Sequence, residues 1–276
     1  MNHLITSRLR KYLPYLLVVT FLALYLVFNS NSILVDCDET GDLAANALQV
    51  ENAKSFSEYV GPYGRFGFNH PGPVLFYVYA LGDLFFEHLT PSLYSSHNIT
   101  QLILNGVFIL GSLVILSGSV SSSILISLLF ASILFAFQAV GIEIFYFTWG
   151  PATLLTPVLF FFVSAAALMN NKLRYYPAHI ISLVLAAQTH VGTVSVLGPI
   201  ELLVFGSIFW TNRKSLATEI KPVATGFLLA FLLFIPTLIE TVRYWPESNI
   251  NKILAFFTTN QGEHQLIDAF NLIHSF

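Results

Sequence analysis

The stretch Leu13-Pro-Tyr-Leu-Leu-Val-Val-Thr-Phe-Leu-Ala-Leu-Tyr-Leu-Val-Phe28 carries no charge and follows Arg8, Arg10 and Lys11. An apolar run behind a basic flank reads as a membrane span with a cytoplasmic N-terminus. It has no small-residue cleavage site, so it reads as a retained signal anchor. Outward from it, further apolar runs fall near 72–86, 100–117, 121–139, 151–169, 177–191, 193–210 and 222–240. Pro, Gly, Asn or charged residues divide them. With 55% hydrophobic and 10% charged residues and a mean hydropathy of +0.71, the 276-residue chain is too apolar for a soluble domain, where charged residues run at about 25%. No alternating pattern of barrel strands is present. The fold class is all-α, a polytopic transmembrane helical bundle, expected as one domain over residues 1–276.

Charge then sets the topology. If every run crosses, the loops with Lys172 and Arg174, and with Arg213, Lys214 and Lys221, fall outside, against the positive-inside rule. The run 72–86 is short, opens with Pro71-Gly72-Pro73 and ends among Asp83 and Glu87. Read as a re-entrant or juxtamembrane helix, it leaves about seven spans and returns every basic loop to the cytoplasm. Residues 36–70, 138–151, 188–192 and 240–276 then share the outer face. The chain ends inside the last of these segments with no closing helix, which reads as truncation of something longer.

A net charge of −3 offers no basic face for nucleic acid. The single cysteine, Cys37, excludes an intramolecular disulfide and a cysteine metal cluster. Chemistry concentrates in the first loop, where Asp36, Asp38, Glu39 and Asp42 follow the first span. Residues 42–53 read as an amphipathic surface helix, with Leu43, Ala47 and Val50 on one stripe and Asp42, Asn46 and Gln49 on another. Asp42 in its first turn reads either as a helix cap or as an ionised general base. Downstream, Gly61-Pro-Tyr-Gly-Arg-Phe-Gly-Phe-Asn-His-Pro-Gly-Pro73 places Arg65 and His70 as phosphate or sugar ligands. Its aromatic residues either stack on a substrate or plug the loop against the membrane. Glu201 lies deep in an apolar run, where an ionised carboxylate costs at least a few kcal/mol, so it reads as protonated or paired within the bundle. The Asn98-Ile-Thr100 sequon fits an outer-face loop.

An acid-bearing helix after the first span, followed by a His-Pro turn and an aromatic run, resembles the first extracytoplasmic loop of the GT-C glycosyltransferases, such as protein O-mannosyltransferases and aminoarabinose transferases. The chain looks closest to a group of bacterial membrane proteins at Gly41-Asp42-Leu-Ala-Ala-Asn46, the Gly61 to Pro73 element, Trp149-Gly-Pro151, Gln188-Thr-His-Val-Gly192 and Pro236-Thr-Leu-Ile-Glu240. The resemblance implies inverting transfer of a sugar from a polyprenyl-phosphate donor to an acceptor hydroxyl at the outer face of the bacterial cytoplasmic membrane. The acceptor is a glycan, lipid or protein. Asp42 is the implied base, with Asp36, Asp38 and Glu39 as fallbacks, and Glu143 the second acidic site. Asp38, Glu39, Asn46, Arg65, Asn69, His70, Trp149, Gln188, His190, Glu240 and Arg243 are the implied substrate-binding set. A divalent cation is left open as cofactor. Two competing readings are a lipid or small-solute transporter, and a non-catalytic relative that assembles with a partner.

Overall fold

The computed structural model describes residues 2–211, 213 and 219–259; Lys214 and the chain beyond Thr259, assigned above to an inner loop and an outer segment, lie outside the described residues. Helices account for the regular structure: α1 (Asn2–Phe28), α2 (Asp42–Lys54), α3 (Val74–Phe86), α4 (Leu93–Leu116), α5 (Ser122–Val140), α6 (Leu155–Met169), α7 (Tyr176–Thr189), α8 (Gly192–Gly206), α9 (Ile220–Arg243) and α10 (Asn249–Thr259). Among the described residues, four helices are long and apolar enough to cross a membrane: Leu93–Leu116, Ser122–Ala139, Gly192–Trp210 and Ile220–Arg243. The apolar stretches Tyr12–Phe28, Val74–Phe86 and Leu155–Met169 are shorter. The all-helical membrane class therefore stands, and the count of about seven spans expected from the apolar runs is larger than the four that length supports.

The chain runs back and forth between two ends of a bundle. Asn105 Nδ2 donates to the Phe145 carbonyl and Thr156 Oγ1 to Asn105 Oδ1, while Phe108 meets Phe160 with ring centroids 5.5 Å apart. These contacts align α4 with α6 from the same end. At the opposite end, Lys172 Nζ donates to Ser119 Oγ at 3.0 Å. The core lies between α3, α4, α6, α7 and α9, around Phe76, Tyr79, Leu168, Leu173 and Tyr176.

The helix α3 is 13 residues long, about 20 Å at 1.5 Å per residue, too short for a hydrocarbon core of about 30 Å. It pairs antiparallel with the first half of α4: Tyr79 OH donates to Gln101 Oε1 at 2.8 Å and Ser96 Oγ to Asp83 Oδ1 at 2.6 Å. Gly82 makes that approach possible, because a Cβ there would sit 1.9 Å from Thr100 Oγ1. The helix expected over residues 42–53 is present, since α2 spans Asp42–Lys54 and buries Val50 and Ala53.

The buried Glu201 has a partner inside the bundle. His179 Nε2 lies 2.7 Å from Glu201 Oε2, and His179 Nδ1 lies 2.8 Å from Ser164 Oγ. Ser164 also donates to the Phe160 carbonyl, so Nδ1 of His179 carries a proton. Either Glu201 is protonated and His179 neutral, or both are charged. In both cases the pair is net neutral, which is how an ionisable group survives among apolar helices.

Candidate functional site

The bundle end that holds Val35, Ser92, Phe145 and His190 gathers polar residues from distant parts of the sequence. Two cavities and one loop junction lie there.

The first cavity has a volume of about 460 Å3 and sits between the acidic first loop, α2 and the start of α4. Asp36, Asp38, Glu39 and Glu51 line it with Tyr94. Local structure fixes its floor: Ser92 and Ser95 hydroxyls both donate to the Val35 carbonyl, at 2.6 and 2.9 Å, tying the loop to the α4 N-terminus. Glu39 turns inward, its side chain 6% exposed, and Oε1 lies 2.8 Å from His97 Nδ1. The other His97 nitrogen, Nε2, lies 3.3 Å from Asp83 Oδ2. Each ring nitrogen faces a carboxylate oxygen, an arrangement that uses an N–H on both and so holds an imidazolium. Asp83, whose side chain is 0% exposed, also takes Lys54 Nζ at 3.0 Å. Burial pushes the Lys54 ammonium down, but its hydrogen bonds to Glu51, Asp83 and Glu87 outweigh this and hold it above its ordinary value. The result is a chain of alternating charge, Lys54 to Asp83 to His97 to Glu39. It ends on Glu39 Oε2, a buried oxygen with no hydrogen-bond partner among the described residues.

The second cavity, about 510 Å3, is lined by Glu143, Phe147, Trp149 and Thr193 among others. Glu143 reaches it because Gly141, at φ 108°, ends α5 and starts the short 3-10 turn Ile142–Phe145. Tyr25 OH donates to the Ile142 carbonyl and holds that turn against α1. Burial raises the Tyr146 hydroxyl above its ordinary value and the Glu143 carboxylate adds to the shift. Tyr94 stands in the field of both Glu39 and Glu143, so the acids of the two cavities share one neighbourhood.

The loop Gly61 to Pro73 is stapled to the bundle rather than free. Gln188 Oε1 accepts from Val74 N at 3.2 Å and its Nε2 donates to the Leu233 carbonyl at 3.1 Å. Asn249 brackets Asn69: Asn69 N donates to Asn249 Oδ1 at 2.8 Å, and Asn249 Nδ2 donates to Asn69 O at 2.9 Å. Glu240 Oε1 accepts from Asn249 N at 2.8 Å. The His70 and His190 rings lie with centroids 4.4 Å apart.

The sequence-predicted residues therefore divide. Glu39 and Asp38 line the first cavity, Glu143 and Trp149 the second, and His70 meets His190. Asp42 is exposed as the first residue of α2, where Gly41 holds the cap position, and it is outside the lining of the acidic cavity. Asn46 is half-buried on the same helix. Gln188, Asn69 and Glu240 spend polar atoms on holding the loop. Glu240 and Arg243 do not form an ion pair among the described residues; Arg243 lies 5.6 Å from the Tyr244 ring centroid and Arg65 5.2 Å from that of Phe66, both exposed.

Sequence reasoning missed Asp83, His97 and Lys54 as parts of one network. Asp83 looked like the polar edge of an apolar run and His97 like part of an uncharged connector. The available signal was an Asp and a His flanking a tight helical turn. Among the described residues no group of three or more His, Cys, Asp and Glu is arranged to hold a metal ion. Comparison with protein-family models, with curated proteins and with solved structures finds no match to this chain.

Proposed function

We propose that the chain is a membrane glycosyltransferase that moves a sugar from a polyprenyl-phosphate donor to an acceptor hydroxyl, with the first-loop acids at its centre. The observation that carries the reading is Glu39: a buried carboxylate held by an imidazolium, with one oxygen unpartnered beside an acidic cavity. In that reading Glu39 takes the proton of the acceptor hydroxyl. The hydroxyl oxygen attacks the anomeric carbon, and the bond to the phosphate oxygen breaks with inversion. Glu143 orients the acceptor from the adjoining cavity. Asp42 is the alternative base.

The topology that accompanies this reading has about seven spans, a cytoplasmic N-terminus and α3 as a juxtamembrane helix. The short length of α3 and its pairing with the first half of α4 support it. A reporter fused after Ser96 gives an extracytoplasmic signal if it holds, and a cytoplasmic signal sinks it.

Transfer of radiolabelled sugar from a panel of polyprenyl-phosphate donors, in membranes containing this chain, tests the activity. Wild type transfers, and Glu39→Gln loses at least about 100-fold, the usual scale of a general base. Transfer that survives Glu39→Gln and vanishes in Asp42→Asn moves the base to the start of α2. No transfer from any donor by inserted, folded protein removes the reading and leaves the transporter, favoured by the His179 and Glu201 pair inside the bundle. Proton uptake into proteoliposomes that His179→Ala abolishes is the signature of that second reading.

A further inference from the structure

We propose that His70 and His190 form a two-donor site for one phosphate oxyanion at the mouth of α8. The two imidazoles are brought together from distant parts of the chain, with ring centroids 4.4 Å apart. Their Nδ1 atoms are both occupied as acceptors. Val191 N donates to His70 Nδ1 at 3.3 Å and Gly192 N donates to His190 Nδ1 at 3.1 Å.

A neutral imidazole has one donor nitrogen and one acceptor nitrogen. With both Nδ1 atoms accepting, the proton of each ring sits on Nε2. Neither Nε2 has a hydrogen-bond partner among the described residues, and neither is a buried orphan, so both face accessible space. The outcome is one N–H donor on each of two neighbouring rings.

Three further features select an oxyanion. First, the donating amides belong to the start of α8, a 15-residue helix, so its positive end is passed through the imidazoles to the two Nε2 protons. Second, His70 is held below its ordinary value by burial and then by the neighbouring His190 ring, and His190 by burial, so both rings stay neutral donors. An anion is therefore welcome here, in contrast to the acidic cavity next to Glu39. Third, a metal ion is disfavoured, since coordination through Nε2 moves each proton to Nδ1 and breaks both backbone hydrogen bonds. Gly192 is part of the site: a Cβ there would lie 3.0 Å from His190 Cε1 and Nδ1, displacing the ring.

The site does not depend on glycosyl transfer, and its test reads binding rather than turnover. Nitrogen-15 spectra of labelled histidines in the purified full chain at neutral pH should show both residues as the Nε2–H tautomer, and inorganic phosphate should shift both Nε2 signals saturably. Vesicles of phosphatidylcholine with phosphatidic acid form the second arm. Response to inorganic phosphate assigns a free-phosphate site, and response to phosphatidic acid vesicles alone assigns a lipid headgroup; either supports the proposal. His190→Phe and Gly192→Ala should each weaken binding at least about tenfold, the scale of one hydrogen bond to a charged group. His190→Gln, which keeps an N–H donor, should recover part of the loss. The proposal is overturned if either ring is the Nδ1–H tautomer, if zinc binds both Nε2 atoms, or if neither phosphate source moves the signals.

Discussion

His97 and the His70–His190 pair occupy the same end of the bundle and solve opposite problems. His97 is wedged between Glu39 and Asp83, with Lys54 behind Asp83, so every buried charge in its row has a countercharge. His70 and His190 face each other, and burial holds both below their ordinary value, His70 at about 4. The first arrangement fixes a charged side chain by ion pairing. The second fixes an uncharged one by backbone hydrogen bonds. A histidine at a polar helix end is therefore not one kind of residue, and the difference comes from which side chains the fold brings to its second nitrogen.

The largest effect should come from breaking the charged row. Asp83→Ala removes the buried carboxylate that Lys54 and His97 share, leaving Lys54 with only the exposed Glu51 and Glu87 and His97 with Glu39 alone. Removing one member of a buried pair costs about 3–5 kcal/mol. Unfolding in detergent, followed by denaturant midpoint, should show a loss of that size, and a loss below about 1 kcal/mol would mean that water already screens the row.

Pattern alone carried part of this. The helical class, the bounds of α2 and the partnered state of Glu201 were legible, because apolar runs and the cost of a buried carboxylate are local properties of the sequence. The partners were not. His179 lies one helix before Glu201, and Asp83 meets His97 across the turn between α3 and α4. Such contacts depend on helix rotation and on Gly82 letting α3 approach Thr100, neither of which a charge count reveals. Glu240 and Arg243, one turn apart on α9, make the same point. One-turn spacing permits a pair, but the turn after α9 offers Glu240 the Asn249 amide instead.

The neutral pair responds to pH with a defined sign. His70 binds its proton less readily in the folded chain, about 4 against an ordinary 6.5. The unfolded or undocked form thus binds more protons, and stability rises with pH across that window. As pH falls from about 6.5 toward about 4, the Gly61 to Pro73 loop should lose hydrogen-exchange protection. His70→Gln should flatten the profile. Protection that grows with acid would mean that an unseen carboxylate faces the ring.

The smallest effect isolates the exposed edge of the charged row. Glu51 reaches Lys54 at 2.6 Å, but its side chain is 49% exposed, whereas Asp83 on the other side of Lys54 is 0% exposed. The short distance alone would suggest a strong contact. Exposure decides otherwise, because water screens the pair and holding two long side chains in one geometry costs entropy. Glu51→Gln should change stability by no more than about 0.5 kcal/mol, and the change should shrink further in high salt. Lys54 keeps Asp83 and Glu87 in that variant, so its charge remains compensated. A cost near that of Asp83→Ala would make the row a single cooperative unit reaching from the surface to Glu39, with Glu51 as much a part of the Glu39 support as His97.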